Sequence, residues 1–279
     1  MKTSGRITLP RKTSFFRRTN INITLIGSGN AARHIGQAFA DAGCRVAQVW
    51  SRTAAHAATA AAQFGAETVA DIADINPDSD LYLIAVSDNA IADVAARLPR
   101  VNGVVVHTSG ATPLEAIKAP GRQCGVLWSP QTFVTGVPMD YSELIFCIEA
   151  DSPDTAGKIE RMTSLVTSHI HHVDSRQRLT CHTAAVMVSN FGNALNALAE
   201  QLLRTEGSDL SLLRPIIKQT AAKADHGDLW SLQTGPAARG DNATIEAHRR
   251  LLSDTAPNLL PLYDLFTQII KENTTQLPR

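Results

Sequence analysis

Aromatic side chains make up only 5% of this 279-residue chain, too few for the stacking platforms that hold single-stranded nucleic acid. Net charge is absent as well, 26 Lys and Arg balancing 26 Asp and Glu. No global field therefore recruits nucleic acid or an anionic membrane. No apolar run is long enough to span a bilayer. The four cysteines, Cys44, Cys124, Cys147 and Cys181, are far apart and form no Cys-x-x-Cys pair. That spacing argues against a zinc site or a disulfide frame and for reduced thiols in a cytoplasmic protein. Lysine is missing between Lys158 and Lys218, and no acidic residue precedes Asp41.

What is present is a core-forming chain, 44% hydrophobic and 19% charged, long enough for one large domain or two ordinary ones. Its organising stretch is the apolar, β-branched run 21–26 followed by Gly27-Ser28-Gly29-Asn30-Ala31-Ala32. Ala31, Ile35, Ala38, Phe39 and Ala42 then recur at helical spacing. Strand, glycine turn and helix in that order turn a weak Gly-x-Gly-x-x-Ala pattern into a dinucleotide-binding site. The first glycine permits the turn, the second admits a pyrophosphate, and the helix N-terminus offers N–H donors and a positive dipole end. A second strand, 46–50, ends in Ser51-Arg52-Thr53. An acid at that point would accept from the ribose 2′-OH of NAD. A cation stands there instead and pairs with a 2′-phosphate, so the cofactor reads as NADP. The alternative is that Arg52 merely lies on a solvated loop.

Further strands are expected at 67–69, 81–86, 104–107, 124–128, 144–149 and 170–173, alternating with helices at 54–64, 90–98 and 154–168. Ligands of such sheets lie at the carboxyl ends of the strands, so Val86, Ser87 and Asp88 face the nicotinamide side. Ser87 or Asp88 also suits an N-cap. From Ser175 the alternation stops. Ala184, Met187, Val188, Phe191, Leu195, Leu198 and Leu202 keep a period near 3.6, and helices follow at 210–224, 244–252 and 257–271. The fold class is therefore α/β: an N-terminal, Rossmann-like parallel sheet with a C-terminal all-helical domain. The expected bounds are a basic, disordered tail at 1–20, a nucleotide-binding domain at 21–174 and a helical domain at 175–279. The tail has no apolar segment of a secretory signal; its Ser/Thr-containing, acid-poor composition leaves an organelle transit peptide as the alternative.

Three residue sets carry candidate chemistry. His182, early on the first long helix, suits a proton donor, with packing as the equal alternative. Asn190 and Asn193 share a helix face and can orient a carbonyl or carboxylate, or satisfy buried backbone. Arg239, in Gly235-Pro236-Ala-Ala-Arg239-Gly240-Asp241, suits an anion clamp or, as the alternative, a loop-stiffening pair with Asp241, which also suits an N-cap. His107 reads as a core histidine, and the cluster His169, His171 and His172 lacks partners at metal-ligand spacing, so no metal is expected.

The glycine turn, Ser51-Arg52-Thr53, Ala85-Val86-Ser87-Asp88 and His107-Thr108-Ser109-Gly110 resemble the NADP oxidoreductase superfamily, which includes pyrroline-5-carboxylate reductase and F420-dependent NADP oxidoreductase. Pro130-Gln-Thr-Phe133, His182-Thr-Ala-Ala-Val186, Ser189-Asn-Phe191 and the run 234–241 resemble, more closely, the proteins that join a Rossmann-like domain to a DUF2520 domain. The resemblance spans nearly the whole chain from residue 21. It implies NADP binding, Thr108 and Ser109 as further cofactor contacts, and a homodimer through the helical domain. β-Hydroxyacid dehydrogenases of similar architecture use a helix lysine as acid–base, and this chain has none there. The reading is an NADP(H)-dependent oxidoreductase acting on a small carbonyl or imine. The alternative is a non-catalytic NADP-binding regulatory or sensor dimer.

Overall fold

The computed structural model describes residues 19–274 except 135 and 138, so nearly all of the basic tail lies outside the described residues. The chain forms two compact units that divide at Val188 and Ser189.

The first unit is built on β1 (Asn22–Ile26), β2 (Arg45–Trp50), β3 (Glu67–Val69), β4 (Leu81–Ile84), β5 (Val104–His107), β6 (Cys124–Trp128), β7 (Phe146–Ala150) and β8 (Ile170–His172). They form one eight-stranded sheet in the order β3-β2-β1-β4-β5-β6-β7-β8. Its helices are α1 (Asn30–Asp41), α2 (Ala54–Phe64), α3 (Ile91–Arg97), α4 (Pro153–Thr163) and α5 (Ser175–Ala185). All four residues of β4 are buried. Leu81 and Leu83 pack in one core with Ile35 and Phe39, while Tyr82 and Ile84 pack in another with Ile91 and Val105. This two-sided burial is why the strand sequence is apolar without alternation. The direction of winding reverses between β1 and β4, so the crevice at their carboxyl ends is the ligand position of an open α/β sheet.

Three local expectations need correction. The sheet is not wholly parallel: β7 runs antiparallel to β6. A parallel return needs a crossover, and the connection from β6 to β7 carries only a short 3₁₀ turn, Tyr141–Glu143. The helix expected over 154–168 ends at Thr163. The hydroxyls of Thr163 and Ser164 donate back to the carbonyls of Ile159 and Glu160 at 2.8 Å each, the competing bonds that make these residues poor helix continuers. The helix expected over 90–98 opens as a 3₁₀ turn at Asp88–Ala90 before α3 begins.

Residue 174, where the sequence changes character, is the N-cap of α5. Asp174 and Gln177 form a reciprocal capping box there. Yet α5 belongs to the first compact unit, because Arg178 on its second turn is fully buried against β7 and the loop after β5.

The regular period read across 184–202 breaks at Val186–Phe191, which form a π-helical turn. Two β-branched valines followed by Ser189 and Asn190 are weak α-formers, and the extra residue turns the register that follows. The second unit comprises α6 (Gly192–Arg204), α7 (Arg214–Ala222), α8 (Pro236–Arg239), α9 (Asn242–Thr255) and α10 (Leu260–Thr274). An Arg249–Asp264 ion pair and a 2.9 Å His248–Tyr263 hydrogen bond tie α9 to α10. Leu198, Leu202, Leu252, Leu262 and Phe266 line an apolar groove of about 610 Å³. None of α6, α7 and α10 has a fully buried residue. Among the described residues no helix is long and apolar enough to cross a membrane.

Candidate dinucleotide site

The two glycines of the turn between β1 and α1 do different jobs. Gly27 has φ +129°, and a Cβ on it would lie 2.2 Å from the carbonyl oxygen of Ala85. Its N–H donates to Trp50 O at 2.8 Å, so this glycine locks β1 between the ends of β2 and β4. Gly29 is the N-cap of α1 with ordinary φ −73° and no capping side chain. A Cβ there would meet no heavy atom within 4 Å. No described residue fills that space. It opens on the N-terminus of α1, whose first turn has no acidic side chain, as an incoming pyrophosphate requires. Asn30 donates its side-chain amide to Phe133 O at 3.1 Å, and Ala31 continues the first turn.

At the end of β2 the Ser51 hydroxyl bonds that of Ser28 at 2.9 Å, joining the glycine turn to the neighbouring strand end. Arg52 is exposed beside it, as is Thr53, and no described acid pairs with Arg52. That leaves the guanidinium available to an anion, the donor chemistry suited to a 2′-phosphate. Beyond β4, Val86 is half-buried and Ser87 and Asp88 are exposed. Ser87 occupies the N-cap position of the following 3₁₀ turn, but its hydroxyl makes no capping bond. Beyond β5, Thr108 is half-buried and Ser109 buried. The Ser109 hydroxyl accepts from the N–H groups of Ala111 and Thr112 at 3.1 and 2.9 Å, so its side chain holds the shape of this loop.

His182 lies on α5, half-buried, with its ring edge-on to Trp128 at 5.8 Å between centroids. It also stands over Gly110. A Cβ at Gly110 would come 2.5 Å from His182 Cδ2, so the glycine makes the room for the imidazole. Arg178, one turn earlier, escaped sequence reasoning. Its Nη1 donates to the carbonyls of Ser109, Gly110 and Thr112 at 3.0, 3.1 and 2.9 Å. Its Nη2 pairs with Glu149 at 2.8 Å. The sequence signal was Glu149, an acid closing an otherwise apolar strand, with Arg178 as one of several cations able to answer it.

His107 is fully buried. Its Nδ1 accepts from the Ser109 N–H at 3.2 Å, while Nε2 has no hydrogen-bond partner among the described residues. Burial, and then the nearby Arg178 charge, lower its pKa to about 4, against a smaller opposing pull from the Pro113 carbonyl. The folded state thus holds a neutral imidazole that the unfolded chain protonates near 6.5. Between those values the unfolded state binds more protons. Stability is full above about pH 6.5 and falls as the pH drops toward 4, by up to about 3 kcal/mol from this group. Denaturant unfolding at pH 7 and pH 5 measures the slope; in His107→Asn it is expected to flatten, and an unchanged slope would assign it to other groups.

In the second unit, Asn190 is exposed on the π-helical turn. Arg239 is exposed at the end of α8, just before Gly240, whose φ of +70° ends the helix. Asp241 caps α9 by accepting from the Thr244 N–H at 3.1 Å and the Thr244 hydroxyl at 2.7 Å. No ion pair joins Arg239 to Asp241 among the described residues, so the acid is engaged as a cap while the arginine faces solvent. His172 pairs with Glu160 at 3.2 Å. No group of three or more His, Cys, Asp or Glu side chains is arranged to hold a metal among the described residues.

A doubly wound sheet, a glycine turn with an open helix N-terminus and a free arginine at the end of β2 define a dinucleotide-binding protein. Residues 7–128 match the model of the Rossmann-like domain, and residues 144–270 match that of a domain of unknown function, DUF2520. A solved protein from Bacteroides fragilis, described as a presumed NADP oxidoreductase, is 34% identical with a TM-score of 0.83, covering 91% of this chain and 98% of that one. The chain belongs to this family, the Rossmann-like and DUF2520 proteins of the NADP oxidoreductase superfamily. A reductive aminase from Aspergillus terreus, solved with NADPH and ethyl-5-oxohexanoate, is 17% identical with a TM-score of 0.66, covering 91% and 95%. An imine reductase from Myxococcus stipitatus, solved with NADP+, is 18% identical with a TM-score of 0.59, covering 91% and 94%. These two likenesses are of fold. No curated protein sequence matches the chain.

Proposed function

We propose that the protein is an NADP(H)-dependent oxidoreductase that transfers hydride to or from a small carbonyl or imine. The observation that carries this reading is the glycine turn: Gly29 leaves space at an uncapped helix N-terminus, and Arg52 is exposed at the adjoining strand end with no ion pair among the described residues. When bound, the nicotinamide supplies or accepts the hydride. The α1 N-terminus would hold the pyrophosphate, Arg52, with Ser51 and Thr53 beside it, would hold the 2′-phosphate, and the loops Val86–Asp88 and Thr108–Ser109 would border the bound nucleotide. His182 donates the proton to the acceptor's nitrogen or oxygen, or withdraws it in the reverse direction. NADP(H) complexes among the related folds, and the presumed NADP oxidoreductase from Bacteroides fragilis, support the cofactor assignment.

The working form is a homodimer through the helical unit. Large apolar side chains exposed there, Phe191, Leu212, Ile216 and Phe266 among them, support this, since such a surface is stable when a second copy covers it. Sedimentation equilibrium is expected to give twice the chain mass; a monomer at all concentrations would remove the dimer. Four free cysteines, one of them exposed, suit a reducing, cytoplasmic setting.

The test is NADPH consumption by the purified protein against cyclic imines, oxo acids and ketone–amine pairs. Turnover with one of these classes supports the reading. Tight NADPH binding with no turnover across the panel favours a non-catalytic NADP-binding sensor instead, a reading prompted by the absence of lysine between Lys158 and Lys218.

A further inference from the structure

We propose that Arg178 is a positioning residue: acting through the loop after β5, it sets the His182 imidazole in a fixed seat between Gly110 and Trp128. The inference deepens the reductase reading and rests on it only in its kinetic part.

The guanidinium is fully buried, which is costly unless its donors are satisfied. They are satisfied by a particular set of partners. Nη1 is spread over three carbonyls of one short loop, those of Ser109, Gly110 and Thr112. Nη2 and Nε both reach Glu149 Oε2, at 2.8 and 3.3 Å. The other carboxylate oxygen accepts from Ser175 at the start of the same helix, at 2.7 Å. One side chain thereby ties three segments together: the first turns of α5, the end of β7 and the loop after β5. The middle residue of that loop, Gly110, is the one against which the His182 ring lies. His182 is four residues from Arg178, so the two share a face of α5. Any slide of α5 or of the loop drives the Gly110 backbone into the ring or pulls the two apart. A fork of donors reaching several acceptors at once is a task for arginine and not for lysine.

The experiment uses Arg178→Lys and Gly110→Ala in the full chain, each read in two ways. The first is the His182 ring resonance in histidine-labelled protein, identified with His182→Asn; its edge-on neighbour Trp128 gives it a ring-current shift. The second is steady-state kinetics. Both variants are expected to move the resonance toward that of an exposed histidine. Both should lower kcat about 100-fold, the cost of misplacing a reacting group by about 1 Å, while NADPH affinity stays close to wild type in Gly110→Ala. Combined with His182→Asn, neither should lower kcat further, because residues acting as a unit are not additive. Should Arg178→Lys fail to fold, Gly110→Ala still reads the seat, since it leaves the buried pair intact. An unmoved resonance in the folded variants, or losses that multiply with His182→Asn, would overturn the proposal. A resonance that moves in the variants while the wild-type protein turns over no substrate would keep the seat and sink the reductase reading instead.

Discussion

Gly27→Ala is expected to destabilise the first unit by about 3–5 kcal/mol, whereas Gly29→Ala stays within about 1 kcal/mol of wild type and loses most of its NADPH affinity. The two substitutions add the same methyl group two residues apart in one loop. At Gly27 it would sit 2.2 Å from Ala85 O, on a backbone at φ +129° that side chains rarely adopt. The obstacle is backbone of the neighbouring strand, so nothing flexible yields, and a loss of that size is a large part of a domain's stability. At Gly29 the backbone is ordinary and the space is open. Alanine is a somewhat poorer N-cap than glycine, which sets the small stability cost. The same methyl group, however, projects where a pyrophosphate approaches the helix N-terminus. Denaturant unfolding and NADPH titration of both variants separate the effects. Equal stability losses would mean that both glycines serve only the turn.

The second large effect is expected from His182→Asn: kcat falls about 100-fold or more, the usual range for a general acid, with NADPH Kd unchanged. His182 belongs to α5 and does not contact the glycine turn, so cofactor affinity has no reason to follow it. The ring is half-buried, with Gly110 below and Trp128 at its side, and asparagine keeps polarity there without an imidazole. If kcat is retained and only stability drops, the histidine is a packing residue and the proton comes from elsewhere.

The features legible in the sequence were those that repeat. Near-continuous apolar runs such as 81–84 announce a strand buried on both faces, and the glycine turn gains meaning from the strand before it and the helix after it. What escaped depends on partners distant in sequence. The antiparallel β7 follows from a connection with no crossover helix, which the apolar run of β7 does not reveal. The π-helical turn at Val186–Phe191 adds one residue to the turn, and apolar side chains on both sides of it hide the change of register in the sequence. Arg178 resembles any charged residue on an exposed helix; its burial appears only when Glu149 and three loop carbonyls converge on it. The different duties of Gly27 and Gly29 are equally silent in the motif, since one is set by Ala85 just beyond β4 and the other by open space.

The central claim is that the end of β2 reads the 2′-phosphate of NADP through Arg52. A paired titration with NADPH and NADH, followed by the fluorescence of the three tryptophans, tests it most directly when wild type and Arg52→Ala are run side by side. Wild type should bind NADPH about 10- to 100-fold more tightly than NADH, the worth of hydrogen bonds to a charged group. Arg52→Ala should lose that margin while its NADH affinity is unchanged. Equal affinities in wild type, or binding of neither nucleotide, would contradict the account.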